Sequence, residues 1–197
     1  MMKVIVEDKS SEILIKKSKF LAFAIKINNE EYAERIIDEY NHKYSDATHV
    51  VYAYVLSKPA KEKCSDDGEP SGTAGKPILD IIKKQNLTNV LVIVVRYYGG
   101  IKLGAGGLVR AYAGSAKAVI DECDIVELVF GKKVIAQISY DSLYLYQNNE
   151  NYRILNIDYS NIADKKVELC VLVKDEDSVQ RIRQVSSSFE DLGEEVF

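Results

Sequence analysis

Two glycine-rich stretches constrain this chain more than any other feature of its sequence. The first is CSDDGEPSGTAGKP at 64–77, and the second is RYYGGIKLGAGGLVRAY at 96–112. Together they hold eight of the 11 glycines, and such clusters mark places where the backbone turns sharply or approaches another group closely. Between them the pattern predicts one helix, 78–85, and one apolar strand, 90–95. Because one helix and one strand can return both stretches to the same end of a sheet, we expect them to face each other across one site.

The strand at 90–95 anchors the prediction for the first part of the chain. Its sequence, VLVIVV, is apolar throughout, which is typical of a central strand covered on both faces. Segment 57–73 is polar and interrupted by glycine and proline, so we expect a long loop there. The other predicted elements are strands at 12–16, 20–27 and 50–56, a helix from Asn28 or Asn29 to about Lys43, and a helix whose buried face carries Leu108, Tyr112 and Ala116.

The pattern restarts beyond Gly131. Strands are predicted at 134–140, 152–159, 166–174 and 195–197, with helices at 142–151 and 178–189. This β-α-β-β-α-β order is typical of a ferredoxin-like domain. We therefore predict two domains, 1–130 and 131–197, joined by a very short linker.

Charge is distributed unevenly between these domains. Residues 1–130 carry 18 basic and 18 acidic side chains, whereas residues 131–197 carry 8 and 12, which accounts for the formal charge of -4. Segment 96–117 holds four basic side chains and no carboxylate, so a local positive field is expected there. GAGG before a helix leaves backbone N–H groups free to bind phosphate, although the same glycines would also permit tight helix–sheet packing. The candidate anion-binding residues are Arg96, Gly99, Gly100, Lys102, Gly104, Gly106, Gly107 and Arg110.

The acidic loop opposite has two interpretations. Asp66, Asp67 and Glu69 have the oxygen ligands that Mg²⁺ prefers, but they also form turns whose carboxylates bind nearby backbone N–H groups. The turn interpretation is favoured, and neither a metal nor another cofactor is predicted. Ser71 and Thr73 belong to the same loop and lack an evident base. Since Arg110 falls in the first turn of a helix, where a cation is unfavourable, we expect it to have an anionic partner. That partner is either one of these carboxylates, which is favoured, or a phosphate held jointly with Arg96.

Three further residues are accessory candidates. His49 starts a strand and has no second histidine at metal-ligand spacing. Tyr97 and Tyr98 lie in the basic stretch, where their rings can either stack on bases or fill the sheet surface.

The three cysteines show no CxxC spacing, so neither a disulfide framework nor a zinc site is indicated. With no secretory leader pattern and no membrane-length apolar run, a cytoplasmic location is expected.

At this point the sequence resembles a known family. CSDDGEPSGTAGKPILD followed by VVRYYGGIKLGAGGLVRAY resembles the signature of the Impact/YigZ family, and SKFLA and ATHVVYAYVL fit as well. The resemblance covers nearly the whole first domain. It implies an α+β chain in which an α/β sandwich of the ribosomal-protein S5 domain 2-like fold precedes the ferredoxin-like domain, a layout similar to the last domains of elongation factor G.

The resemblance also implies a functional context. Eukaryotic Impact proteins bind the activator of a translation-initiation-factor kinase and restrain that kinase. The first hypothesis is therefore a non-catalytic, translation-linked protein that engages RNA, the ribosome or a protein partner through the glycine-rich basic stretch, without a membrane and without DNA sequence specificity. The alternative is a small phosphate-handling enzyme in which Asp66, Asp67 and Glu69 hold a metal ion.

Overall fold

The chain divides into two compact units. The structure, a computed structural model, describes residues 2–128 and 130–196. The units are residues 1–127 and 128–197, and each is described by itself below. The domain boundary predicted at 130–131 lies just inside the first strand of the second unit.

A five-stranded antiparallel sheet organises the first unit, with strand order β2-β3-β6-β4-β5. Strand β6 is central, as its unbroken apolar sequence predicts.

Within the described residues, no helix has the length and apolarity needed to cross a membrane. The elements are β1 (Lys3–Ile5), β2 (Lys9–Ile15), β3 (Ser18–Lys26), α1 (Glu30–Lys43), β4 (His49–Ser57), β5 (Ala60–Ser65), α2 (Gly75–Lys84), β6 (Val90–Tyr97), α3 (Ala105–Asp121) and β7 (Ile125–Glu127).

Strand β6 supplies core residues to both faces of this sheet. Because successive side chains of a strand point to opposite faces, Val90, Val92 and Val94 pack against α2 and α3, whereas alternate residues pack against α1. The same alternation continues past the apolar run. It places Arg96 on the α3 face, and Tyr97 joins the cluster beneath α1.

The register of the sheet gives Arg96 its neighbours. Phe20 of β3 and His49 of β4 are its cross-strand partners on either side. Cross-strand partners on one face have Cβ atoms about 5 Å apart. One transverse row, Phe20, Arg96 and His49, therefore forms the end of the sheet beneath α3.

The predicted loop at 57–73 is wrong in its first part, because Ala60–Ser65 forms strand β5, paired with β4. This strand lies at the sheet edge and its side chains are mostly exposed. An edge strand is held by main-chain hydrogen bonds on one side and tolerates charged side chains, so its polar sequence, AKEKCS, did not indicate a strand. Short strands β1 and β7, which pair with each other, were also not predicted.

The second unit has the predicted β-α-β-β-α-β order. Its four strands form an antiparallel sheet in the order β11-β8-β10-β9. The apolar core lies between α5, the short α4 and one sheet face, which is the ferredoxin-like arrangement. The α+β fold class is thus confirmed. The elements are β8 (Phe130–Ser139), α4 (Tyr144–Gln147), β9 (Tyr152–Asp158), β10 (Lys166–Val173), α5 (Glu176–Val185) and β11 (Ser188–Val196).

The end of the second unit differs from the sequence prediction. The helix predicted to reach residue 189 ends at Val185, and the strand predicted at 195–197 begins at Ser188. Ser186 adopts an extended backbone, and its hydroxyl donates to the Arg183 carbonyl. Three consecutive serines therefore end the helix, since serine side chains compete for backbone hydrogen bonds at helix ends.

We predict that residues 128–197 fold as an isolated fragment, because all four strands and their core belong to this unit. Circular dichroism should show a mixed α/β spectrum and a cooperative thermal transition. The fragment must begin before Phe130, because Phe130 pairs with Val196 in the sheet. A spectrum of unfolded chain would show that this unit depends on the first.

Candidate functional site

The two glycine-rich stretches meet at a cavity of about 370 Å³ beside the end of β6. The acidic loop forms one wall, and the loop between β6 and α3 forms the other. Their predicted proximity is therefore confirmed. The lining residues are Thr48, His49, Glu69, Pro70, Arg96, Tyr98, Lys102, Leu103, Gly104, Ala105 and Leu108.

A buried polar cluster forms the floor of this site. Arg96 Nη1 donates to Glu69 Oε1 at 2.5 Å, and the Tyr112 hydroxyl donates to the same oxygen at 2.7 Å. The Glu69 side chain is only 4% exposed and that of Arg96 only 6%. The guanidinium also lies over the rings of Phe20 and Tyr98, each 5.5 Å from its centre, an arrangement that favours a cation.

Tyr112 links this cluster to helix α3. It projects from the buried face of α3, where its ring meets Phe20 edge-on at 5.4 Å. Burial, followed by the hydrogen bond to the Glu69 carboxylate, raises the pKa of Tyr112 far above its usual range. The hydroxyl therefore stays a hydrogen-bond donor, and the acidic loop, β6 and α3 meet at a single carboxylate oxygen.

His49 extends the cluster toward strand β4. Its Nδ1 lies 2.6 Å from the Asp67 carbonyl oxygen. Because a carbonyl oxygen only accepts, Nδ1 must carry the proton. Nε2 then faces Glu69, 3.9 Å from Oε2. The Asp67 carboxylate accepts from the Val50 backbone N–H at 2.6 Å, so Asp67 ties the loop to β4.

Asp66 caps helix α2. Its carboxylate accepts from the backbone N–H groups of Gly72, Ala74 and Gly75, at 2.7, 3.0 and 2.8 Å. Burial alone would raise the pKa of Asp66, but these three hydrogen bonds outweigh it and hold the pKa below its usual value. This carboxylate closes the loop upon itself and satisfies N–H groups at the helix start.

The three acidic side chains are therefore used separately. Asp66 binds the start of α2, Asp67 binds β4, and Glu69 binds Arg96 and Tyr112. Among residues 2–128 and 130–196, no three histidine, cysteine or acidic side chains are arranged to hold a metal ion. The geometry supports the turn interpretation and gives the metal-assisted alternative no ligand cluster in this part of the chain.

Glycines of the second stretch have two distinct roles. A Cβ on Gly99 would lie 2.0 Å from the backbone of Lys17, in the turn between β2 and β3, so this position requires close packing. Gly104, at φ 71°, precedes α3, and among the described residues no side chain hydrogen-bonds to the first N–H groups of that helix. The first N–H that α3 satisfies internally at this end is that of Leu108, bonded to Gly104 O, which leaves the preceding N–H groups free beside the cavity.

The contact with Gly99 adds two lysines that the sequence analysis missed. Lys16 and Lys17 form the turn that packs on Gly99, and both side chains are exposed. Their separation of about 80 positions from the glycine stretch left no sequence signal for this contact. We call Lys16, Lys17, Lys102 and Arg110 the basic rim.

The residues of the basic rim share one electrostatic property. All four are exposed, and none forms an ion pair with a carboxylate in the part of the chain that the structure describes. The expected pairing of Arg110 with the acidic loop is therefore wrong. Glu69, the carboxylate nearest the second stretch, instead pairs with Arg96 because β6 delivers the guanidinium to the same buried pocket.

The structure separates the predicted site residues into two groups. Those that line the cavity are His49, Glu69, Arg96, Tyr98, Lys102 and Gly104. The others lie outside its lining: Tyr97, on the α1 face of the sheet, donates to Asp46, Thr73 donates to the Pro70 carbonyl, and Ser71 is exposed. Gly100, at φ 82°, shapes the loop, and Gly106 and Gly107 lie in the first turn of α3. Tyr112 was assigned to the core by its helical spacing, and nothing in that spacing indicated its hydrogen bond to Glu69.

We predict that Asp66→Asn lowers the free energy of unfolding by about 1–2 kcal/mol at neutral pH, the cost of a lost helix cap. Because the folded-state pKa of Asp66 is depressed, its contribution is complete above about pH 5 and is lost as the pH falls through the folded value. Urea unfolding between pH 7 and pH 2 should show the two proteins converging in acid. Asp80→Asn, which removes an exposed pair with Lys76 on the same helix, is the control and should change stability by less than about 0.5 kcal/mol.

We predict that Tyr112→Phe lowers the free energy of unfolding by about 1.5–3 kcal/mol, because Glu69 loses a charge-assisted hydrogen bond in a buried site. Tyr54→Phe is the matched control: Tyr54 is equally buried, but the side chain of its partner Glu30 is 35% exposed and can bind water in place of the lost hydroxyl. Denaturant melts of both variants provide the comparison. An equal loss in the two would mean that the Glu69 cluster adds nothing beyond an ordinary tyrosine hydrogen bond.

Comparisons with known proteins cover the unit that carries this site. Residues 16–120 match the Impact N-terminal domain family. "IMPACT family member YvyE" of Bacillus subtilis is 43% identical over 117 residues, 59% of this chain and 54% of that protein. "IMPACT family member YigZ" of Escherichia coli is 39% identical over 109 residues, 54% of this chain and 53% of that protein. The matched part thus spans about half the length of these curated relatives.

A solved structure matches both units. The match to "Crystal structure of an hypothetical protein" covers 98% of this chain and 96% of that protein's chain, with a TM-score of 0.65 and 28% sequence identity. "Protein IMPACT" of Danio rerio is more distant, 35% identical over 95 residues, 45% of this chain and 29% of that protein. The family match includes the central strand, the acidic loop and most of α3. This chain belongs to the Impact N-terminal domain family.

Proposed function

We propose that this chain is a non-catalytic, cytoplasmic protein of translation control that binds RNA through the basic rim. Family membership supports the translation context, which is what the resemblance to the Impact/YigZ family implies. The relatives named above match over only part of their length, so the RNA ligand is argued from the residues of this chain.

The observation that carries the proposal is the unpaired state of the basic rim. Elsewhere on the same unit, lysines pair with carboxylates: Lys61 with Glu30, and Lys83 with Glu62. The rim cations have no such partner among the described residues, so their field is not cancelled locally. Phosphate is the natural counter-charge for a group of exposed cations, and its binding releases counterions from RNA.

Two exposed apolar side chains lie within the same surface. Tyr98 is 44% exposed and Ile101 is 41% exposed, on the loop that also carries Lys102. Aromatic rings on a basic surface stack on bases without regard to sequence. This combination favours a single-stranded segment with splayed bases over a duplex, which would present its phosphates and hide its bases.

The groups around the cavity, and the thiol on the neighbouring strand β5, support binding in preference to chemistry. The Cys64 thiol has a raised pKa, first through burial and then through Asp66, and is thereby a poor nucleophile. Glu69 and the Tyr112 hydroxyl hydrogen-bond to each other. The second unit, with 8 basic and 12 acidic residues in 131–197, would repel phosphate, so RNA should contact the first unit.

We expect the Lys16→Ala/Lys17→Ala variant of the full chain to bind a single-stranded RNA 12-mer more weakly than the wild type. The measurement is fluorescence anisotropy of an internally labelled RNA over a series of salt concentrations. Since each phosphate contact to a single strand contributes about 0.7 to the slope of log K against log salt, the slope should fall by about 1.4. Lys16 and Lys17 both have a positive φ, 45° and 67°, which is unfavourable for residues other than glycine. A thermal melt of the variant is therefore needed to show that it is still folded.

A matched double variant is the control. Lys26→Ala/Lys84→Ala removes two exposed lysines that form no ion pair with a described residue, one at the opposite end of β3 and one at the end of α2. Equal affinity and slope for the two double variants would reject the basic rim as the interface. Absence of RNA binding at low salt by the folded wild type would reject RNA itself and favour a protein partner.

A further inference from the structure

The cavity beside the basic rim holds a buried guanidinium that is incompletely paired. Arg96 is 5% exposed, and its Nε is buried without a hydrogen-bond partner in the described part of the chain. Nη1 alone donates to Glu69, although a guanidinium has five N–H donors and commonly binds a carboxylate through two of them. Leaving a buried donor unsatisfied is unfavourable, and because Arg96 lines the cavity, its guanidinium offers N–H donors to an acceptor that binds there.

A second, independent set of donors faces the same space. Gly104 and Ala105, at the start of the 17-residue helix α3, line the cavity, and no side chain in the described part of the chain caps this end. The N–H groups of Ala105, Gly106 and Gly107 precede the first internally bonded N–H, that of Leu108. Helix starts of this kind bind anions through free N–H groups and the helix dipole. At α2, by contrast, the Asp66 carboxylate already occupies this position.

The charge of the cavity wall favours one class of phosphate. Arg96 and Glu69 cancel each other, which leaves Lys102 at +1 and the start of α3 at about +0.5. Their sum, about +1.5, matches a phosphate monoester, which carries about -1.5 to -2 at neutral pH. An internal phosphodiester carries only one charge. It would also need the strand to both enter and leave the cavity, whereas a monoester is a strand end.

The remaining lining suits the nucleoside attached to that phosphate. Pro70, Leu103 and Leu108 are apolar, and the Tyr98 ring lies at the cavity edge, half-exposed. The volume of about 370 Å³ falls within the range of small-molecule sites, about 300–1,000 Å³. A base can therefore stack on Tyr98 while its phosphate reaches α3 and Lys102.

We propose that this cavity binds a nucleotide by its terminal phosphate monoester, with the start of α3, Arg96 and Lys102 on the phosphate and Tyr98 on the base. The monoester has two sources, the phosphorylated end of an RNA strand and a free nucleoside monophosphate. The RNA-end form rests on the proposed function, because the strand would continue from the cavity onto the basic rim. The free-nucleotide form stands without it.

The test uses the folded full chain and competition against an internally labelled RNA 12-mer. The competitors are the same RNA with a 5′-phosphate, with a 3′-phosphate, or with hydroxyls at both ends. We expect one phosphorylated RNA to compete about tenfold more strongly than the dihydroxyl RNA. Calorimetry with AMP and with adenosine measures the free-nucleotide form, where AMP binding without adenosine binding is expected.

Variants separate this preference from general attraction to the rim. Lys102→Ala should abolish the preference for a phosphorylated end, whereas Lys84→Ala, an exposed lysine outside the cavity lining, should leave the preference intact. Tyr98→Ala should weaken AMP binding at least about threefold through lost stacking. Loss of the preference in both lysine variants would show a charge effect unrelated to the cavity and would overturn the assignment.

The remaining outcomes distinguish this inference from the proposed function. Equal competition by all three RNAs, together with no binding of AMP, overturns the cavity site and leaves RNA binding at the rim intact. AMP binding in a protein that binds no RNA supports the cavity site as a free-nucleotide site and rejects the proposed function. Absence of binding by every RNA and by AMP rejects both.

Discussion

The ion pair between Glu69 and Arg96 is the interaction on which the arrangement of this site depends. It joins a loop, the central strand and, through Tyr112, helix α3 at one buried carboxylate oxygen. A buried ion pair contributes little net stability compared with apolar packing, yet removing one partner is strongly unfavourable because the other is left charged and buried. The pair therefore acts chiefly by fixing where the acidic loop lies. Any other placement of that loop would leave Arg96 buried without a carboxylate partner, because the register of the sheet holds Arg96 between Phe20 and His49.

The sequence predicted those parts of the fold that follow from apolar patterning. The run at 90–95 indicated a central strand, and the structure shows why: its alternate residues fill two different cores. The β-α-β-β-α-β order after Gly131 indicated the ferredoxin-like unit for the same reason. Patterning failed where main-chain hydrogen bonds form the element. The edge strand Ala60–Ser65 carries exposed polar side chains, and Ser188–Val196 begins at the last of three serines that resemble a loop.

For the candidate site, the sequence could indicate the meeting of two loops but not which side chains bind each other. The one helix and one strand predicted between the two loops placed both loops at one end of the sheet. Nothing in that pattern distinguished Arg96 from Arg110 as the partner of Glu69, because the choice depends on strand alternation that continues the α3 face through Arg96. The proximity of Lys16 and Lys17 to the glycine loop could not be predicted from the sequence, for a different reason. They reach the glycine loop through a backbone contact with Gly99 that only the folded sheet creates.

The pairing of β1 with β7 has a consequence for how this unit can be used. Lys3–Ile5 and Ile125–Glu127 are antiparallel neighbours, so the chain enters and leaves the first unit at adjacent points. Residue Lys3 is held further by the segment that follows α2, through its bonds with Asn86 and Thr88. A fold whose two ends meet can be inserted into a surface loop of another protein, or joined to different neighbours at either end, without stretching its own sheet. The first unit is therefore compatible with insertion into other proteins or fusion to them.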